Sequence, residues 1–200
     1  MTETILKLRQ SGELVLRQPA RPLSLDEIRR PETRHLIAAM HDTLRDAPGV
    51  GLAAPQVGFG LQLAMIEDRA DYQQAIPPEQ LEERGRIPLP FQVIINPTLT
   101  IVDATPKLFF EGCLSVAGFT ALVSRAAKVR VEGLDENGEP LTIEAEGWHA
   151  RILQHEIDHL HGRLYLDSML PRSFMTVSNH ARFWKDKRVC EVCAALGLTS

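Results

Sequence analysis

The chain has 200 residues, of which 44% are hydrophobic and 24% charged, with a formal net charge of −4. These values suit one compact domain with its own core, and the mild negative charge gives no electrostatic reason to expect a nucleic acid or an anionic membrane as partner. Three cysteines, an odd number, argue against a secreted disulfide framework and for a reducing compartment.

The start, MTETILKLRQSGELVLRQPA, has no basic segment followed by an apolar run, so no signal peptide is expected. No run of about 18 apolar residues follows, so no membrane-spanning helix is expected. Between Leu25 and Arg45, apolar Ile28, Leu36, Ile37, Met40 and Leu44 share one face of a helix, with Ser24 as N-cap. Pro31 interrupts the pattern and marks a candidate true start. LQLAMIE predicts a short strand. Asp68 to Pro90, polar and proline-containing, predicts a surface insertion with a helical turn at PPEQLEERG. FQVIINPTLTIVD predicts a strand interrupted at Asn96-Pro97. KVRVEGLDENGEPLTIEAEG predicts a hairpin about Asn137-Gly138, and GWHARILQHEIDHLHG a helix stopped by Gly162. Strands and helices alternate without βαβ regularity, so the class expected is α+β.

His155-Glu156-Ile157-Asp158-His159 is an H-E-x-x-H pattern. Histidines four apart on a helix share a face and can hold one metal ion, while Glu156 flanks the metal without binding it. A carboxylate there can take a proton from metal-bound water and pass it to a leaving group. The competing reading is a helix carrying two surface histidines. Apolar Ile152, Leu153 and Leu160 favour a buried helix, in which histidines need partners. A catalytic site needs a third ligand. A zinc endopeptidase would take its third ligand downstream, where Asp167, His180 and His161 lie, but none of them sits in the glycine-marked extended protease pattern. Cys113, in EGCLS about forty residues upstream, is the alternative, since a thiolate binds zinc or ferrous iron well. On the residues alone, a metal-binding Cys113 and a buried structural thiol stand level. GVGLAAPQVG, Gly49 to Gly58, offers close backbone approach and the amide of Gln56, a donor suited to an oxyanion. Arg151 reads as solvated, and Asp158 as either a supporting carboxylate or a solvated acid. Cys190 and Cys193 read as two cysteines on a C-terminal helix.

In their order, GVGLAAPQ, EGCLS and QHEIDH resemble the three signature motifs of peptide deformylases, and the likeness runs from about Gly12 to Pro171. EGCLSVAGF, the insertion before PFQVIINP and EGW before the metal helix look most like the mitochondrial-type branch or its bacterial relatives. The resemblance implies antiparallel β-sheets packed around a central helix carrying the H-E-x-x-H motif. It implies a catalytic domain over residues 1–171 and a helical tail over 172–200 that is part of the same domain. Cys113, His155 and His159 would bind one divalent metal, ferrous iron natively, with zinc, nickel or cobalt as substitutes. Glu156 would be the general acid and base, with Gln56 and the Leu114 N–H stabilising the oxyanion. Gly51 would lie beside substrate backbone, and Val50, Phe110, Trp148 and Ile152 would line the methionine pocket. Glu111 and Arg125 would form a supporting ion pair. The implied reaction removes the N-formyl group from formyl-methionine at the start of newly made proteins, releasing formate. The implied partners are N-formylmethionyl peptides, nascent chains and the ribosome. The expected setting is a bacterial cytoplasm, or an organelle if the chain is a processed form. Ala117 and Ser124 stand where the family usually has proline, and Thr120 where many bacterial members have arginine.

Overall fold

The computed structural model of the chain describes residues 3–198. The apolar stripe between Leu25 and Arg45 forms two helices, α1 (Leu25–Arg29) and α2 (Pro31–Asp46). Ser24 closes a capping box with Glu27 at the start of α1, satisfying two of the otherwise unpaired backbone N–H groups. Pro31 opens α2 at its first turn, where a missing N–H costs nothing. Ile28, Ile37, Met40 and Leu44 are all buried, as the spacing predicts.

Six strands form one antiparallel sheet among the described residues: β1 (Gly51–Ala53), β2 (Leu63–Asp68), β3 (Leu89–Gly112), β4 (Phe119–Leu134), β5 (Pro140–Glu146) and β6 (Met175–Thr176). The first five are hydrogen-bonded in chain order, and β6 pairs with β4. The α+β class with antiparallel pairing is as expected, and the strands join in one continuous sheet. Every residue of β2 is buried. Leu63 and Met65 pack with α1 and α2 on one face, whereas Ile66 packs with Ile152, Leu153 and Ile157 of α5 (Gly147–Leu160) on the other. A strand covered on both faces is a continuous apolar run rather than an alternating one.

The interruption expected at Asn96-Pro97 is local, and β3 continues past it. Asn96 adopts φ 52° at a register shift between Ile95 and Thr98, so the pair forms a bulge inside β3. Its side-chain amide bonds both the N–H and the carbonyl of Leu23, at 2.9 and 2.8 Å. The β4–β5 hairpin turns through residues 135–139. There Asp135 accepts the N–H groups of Asn137 and Glu139, both at 2.8 Å, and Gly138 takes φ 82°. The chain leaves α5 at Gly162, whose φ of 72° and whose 2.7 Å approach of a would-be Cβ to the Arg17 carbonyl leave no room for a side chain.

The insertion holds α3 (Ala70–Gln73) and α4 (Pro78–Arg84), and its ends are tied to the core: Arg86 makes two bonds to fully buried Asp68. After α5 come β6, α6 (Val177–Phe183) and α7 (Val189–Leu196). Cys193 on α7 is buried against Leu122 of β4, while Cys190 is exposed. No described helix is long and apolar enough to cross a membrane.

Met40 is fully buried in the cluster that joins α2 to the sheet. Met40→Ala should lower unfolding stability by about 2–5 kcal/mol, read as a fall in the urea midpoint at unchanged slope.

Candidate functional site

The end of β3 and the middle of α5 meet in a buried cluster. The Cys113 sulfur and one nitrogen each of His155 and His159 all lie within 4.8 Å of one another, and Sγ to His159 Nε2 is 3.3 Å. Two donors about 2.0–2.3 Å from a tetrahedral metal sit roughly 3.5 Å apart, so the spacing fits one ion. The His155 Nδ1–H donates to Glu111 Oε2 at 2.9 Å, which leaves Nε2 for the cluster. A thiolate and two imidazoles form a donor set suited to zinc or ferrous iron.

Glu111 is the anchor of this arrangement. It is 6% exposed, yet its carboxylate meets Arg125 through Nε and Nη2, each at 3.0 Å, as well as Arg151 and His155. Burial alone would raise its pKa, but hydrogen bonds from His155 and Arg125 hold it well below the usual carboxylate range. Arg125 also binds Asp158 on α5. Arg151 is not solvated, as its place in the sequence suggested. It is 3% exposed and spans Glu111 and the carbonyls of Val123 and Lys107. Burial lowers its pKa to about 10, against the pull of Glu111. Asp158, left open between two readings, is the Arg125 partner.

Glu156 points into the site from the same helix. It is 4% exposed, its Oε2 has no hydrogen-bond partner among the described residues, and burial lifts its pKa to about 7. Gly51 is what makes room for it. A Cβ there would lie 2.3 Å from Glu156 Oε1 and 2.6 Å from its Cδ. Gln56, on the 3₁₀ turn Ala54–Val57, accepts the Ala53 N–H through Oε1 at 2.8 Å. That bond aims Nε2 at Cys113 Sγ and Ser115 Oγ, at 3.5 and 3.4 Å.

A cavity of 620 Å³ opens onto Glu156, Gln56, Cys113 and Leu114. Val50, Gly51, Phe110, Trp148 and Ile152 all line it, so the structure brings every residue singled out for the pocket to one place. The sequence reading missed Arg86, Phe119 and Val177 on the same wall. Arg84, Arg86 and Arg151 stack on Trp148, with guanidinium carbons 5.3 to 5.8 Å from the ring. Thr120 does not face substrate space with a charge; its hydroxyl donates to the Glu111 carbonyl at 2.8 Å. Two of the three downstream candidates are engaged elsewhere. Asp167 pairs with Arg17, and His180 stacks edgewise on Phe110 at 4.4 Å.

The family model described as polypeptide deformylase matches residues 5–174. The chain is 46% identical over 170 residues to the chloroplastic peptide deformylase 1A of Solanum lycopersicum, covering 85% of this chain and 61% of that protein. It therefore spans about six-tenths of that relative's length. Peptide deformylase 3 of Streptomyces avermitilis is 44% identical over 187 residues, covering 94% of this chain and 81% of its own. The crystal structure of a class I type b peptide deformylase from Acinetobacter baumannii with Met-Ala-Ser bound superposes with a TM-score of 0.74 at 31% identity. That likeness covers 84% of this chain and all of the other.

Removing one member of a buried charge network leaves its partners uncompensated. Arg151→Leu should destabilise the fold by about 3–5 kcal/mol in urea unfolding. Arg151→Lys should recover little of that loss, because one ammonium cannot reach a carboxylate and two carbonyls in the fork geometry of a guanidinium.

Proposed function

Because the chain belongs to the polypeptide deformylase family, we propose that this cavity binds an N-formylmethionyl peptide and that the cluster beneath it hydrolyses the formyl amide. The products are formate and a free N-terminal methionine. The observation that carries the reading is the pairing of Glu156 with the Cys113, His155 and His159 cluster at the floor of one apolar pocket.

In this reading Cys113, His155 and His159 hold one divalent metal, natively ferrous iron, with zinc, nickel or cobalt able to replace it. When bound, such an ion polarises the formyl carbonyl and lowers the pKa of a coordinated water from 15.7 toward about 7. Glu156 takes the proton of the attacking water and returns it to the departing amine, so one carboxylate serves as base and then as acid. Its isolation from other hydrogen-bond partners supports that role. Gln56 Nε2, fixed by the Ala53 N–H, and the Leu114 backbone N–H receive the oxyanion; a donor of this kind typically contributes about 10²–10³ in rate. Val50, Phe110, Trp148 and Ile152 take the methionine side chain, and Gly51 lets substrate backbone pass beside Glu156. Glu111 and Arg125 hold the cysteine loop to α5. Leu122 packing against Val192 and Cys193 supports residues 172–200 as part of the same unit as 1–171. The reading extends to nascent chains at the ribosome as natural substrates, in a bacterial cytoplasm or an organelle.

The deciding experiment is anaerobic formate release from formyl-Met-Ala-Ser with iron, zinc, nickel or cobalt supplied singly. Cleavage of an unblocked protein without formate release would return the chain to the endopeptidase alternative. Glu156→Ala should keep one metal per chain and lose turnover by about 10²–10⁴; near-normal turnover would remove Glu156 from the chemistry. Cys113→Ser with cobalt should lose the thiolate-to-metal absorption band, and an unchanged spectrum would take Cys113 out of the ligand set. A base works only when ionised, so kcat/KM should fall as pH drops through the Glu156 pKa. Burial lifts that pKa to about 7 and a neighbouring dication lowers it, so the acid limb should lie below pH 7.

A further inference from the structure

The residues that carry the family match end at 174, yet the wall of the cavity does not. β6 pairs with the start of β4, with Phe119 opposite Thr176 and Thr120 opposite Met175. The Val177 N–H continues the contact by donating to the Gly118 carbonyl at 2.9 Å. This pairing holds the C-terminal segment along the rim of the pocket. It also sets three apolar side chains side by side in solvent. Phe119 and Phe174 stack with ring centroids 4.9 Å apart and planes 9° from parallel. Their exposures are 38% and 39%, and that of neighbouring Val177 is 50%. Phe119 and Val177 line the same cavity as Glu156 and Cys113.

Large side chains left in water beside a binding cavity mark a surface that something covers. The covering group here is constrained. Access to the buried cluster is through this cavity, and whatever follows the residue seated in it must leave past the rim. We propose that Phe119, Phe174 and Val177 form an apolar ledge that receives a side chain of the substrate downstream of the formyl-methionine, giving this chain a preference for large apolar residues there. The proposal rests on the deformylase reading above and adds a selectivity to it. Phe119 and Phe174 lie within residues 5–174 of the family match, and Val177 lies just beyond it. An aromatic or branched aliphatic side chain laid across two stacked rings gains buried apolar area on one face only, which is worth about five- to twentyfold in kcat/KM.

The test compares formyl-Met-Ala-Ser with peptides in which the second or the third residue is Phe, Leu, Ser or Asp, using the metal-loaded full chain. At one of the two positions, Phe and Leu should exceed Ser by about five- to twentyfold, and Asp should be poorest. Val177→Ser and Phe174→Ser should each move the Phe-to-Ser ratio toward one, and Phe174→Trp should preserve it. Thermal unfolding of each variant separates a lost ledge from a lost fold, and Val177→Ser changes a half-exposed side chain with little effect on packing. A ratio near one at both positions in the unaltered chain would overturn the ledge, as would a ratio that Val177→Ser and Phe174→Ser leave unchanged. Sedimentation as a dimer that Val177→Ser dissociates would assign the surface to a second copy and overturn it too. If formyl-Met-Ala-Ser itself releases no formate, the deformylase reading fails first.

Discussion

The Glu111 carboxylate holds the site together. It sits at the end of β3, takes both arms of Arg125 from β4, and meets Arg151 and His155 from α5. Two consecutive strands and the later helix α5 thus converge on one buried acid. A buried carboxylate is tolerable only when its charge is matched and its lone pairs are filled. Two arginines and an imidazole do both, and in doing so they fix the tautomer of His155 and the position of the turn that carries Cys113. Asp158 completes the balance on the far side of Arg125.

This arrangement separates two duties among the acids of the site. Glu111 and Asp158 are both engaged by Arg125, and Glu111 is held well below the usual carboxylate range, whereas Glu156, two residues before Asp158, has an oxygen without a hydrogen-bond partner among the described residues and a pKa lifted to about 7. The difference arises from environment rather than residue type. Glu156 faces Gly51, and Gly49 lies against Leu114, so small residues and apolar surface border it there. A group held near neutrality can accept a proton and give it back, and a group locked in a salt bridge cannot.

The features written in local spacing were legible in the sequence: the histidines four apart on α5, the N-cap at Ser24 and the turn near Gly138. Arg151 was not. Its position four before His155 is compatible with a solvated helix face, and its partners lie on β3 and β4, which no local pattern connects to α5. The length of β3 was hidden for a related reason. Asp103, Pro106 and Lys107 resemble a loop, and the strand accommodates them through register shifts between Ile101 and Pro106. The role of Asn96 depends on the Leu23 backbone, which is distant in sequence. Arg86 and Asp68, at opposite ends of the insertion, likewise find each other only in the folded chain.

The strand order bears on how the molecule assembles. β2 to β5 each pair with the strand before them in the chain, so the sheet can grow as a meander through short-range steps that carry little loop-closure entropy. The donor cluster cannot. Cys113 is present long before His155 and His159, and the three meet only when α5 docks on a finished β3–β4 ladder. During synthesis from the N-terminus, the chain therefore passes through a long interval in which its thiol is exposed and unpaired. The risk of oxidation is concentrated in that window, before the fold can shield the sulfur.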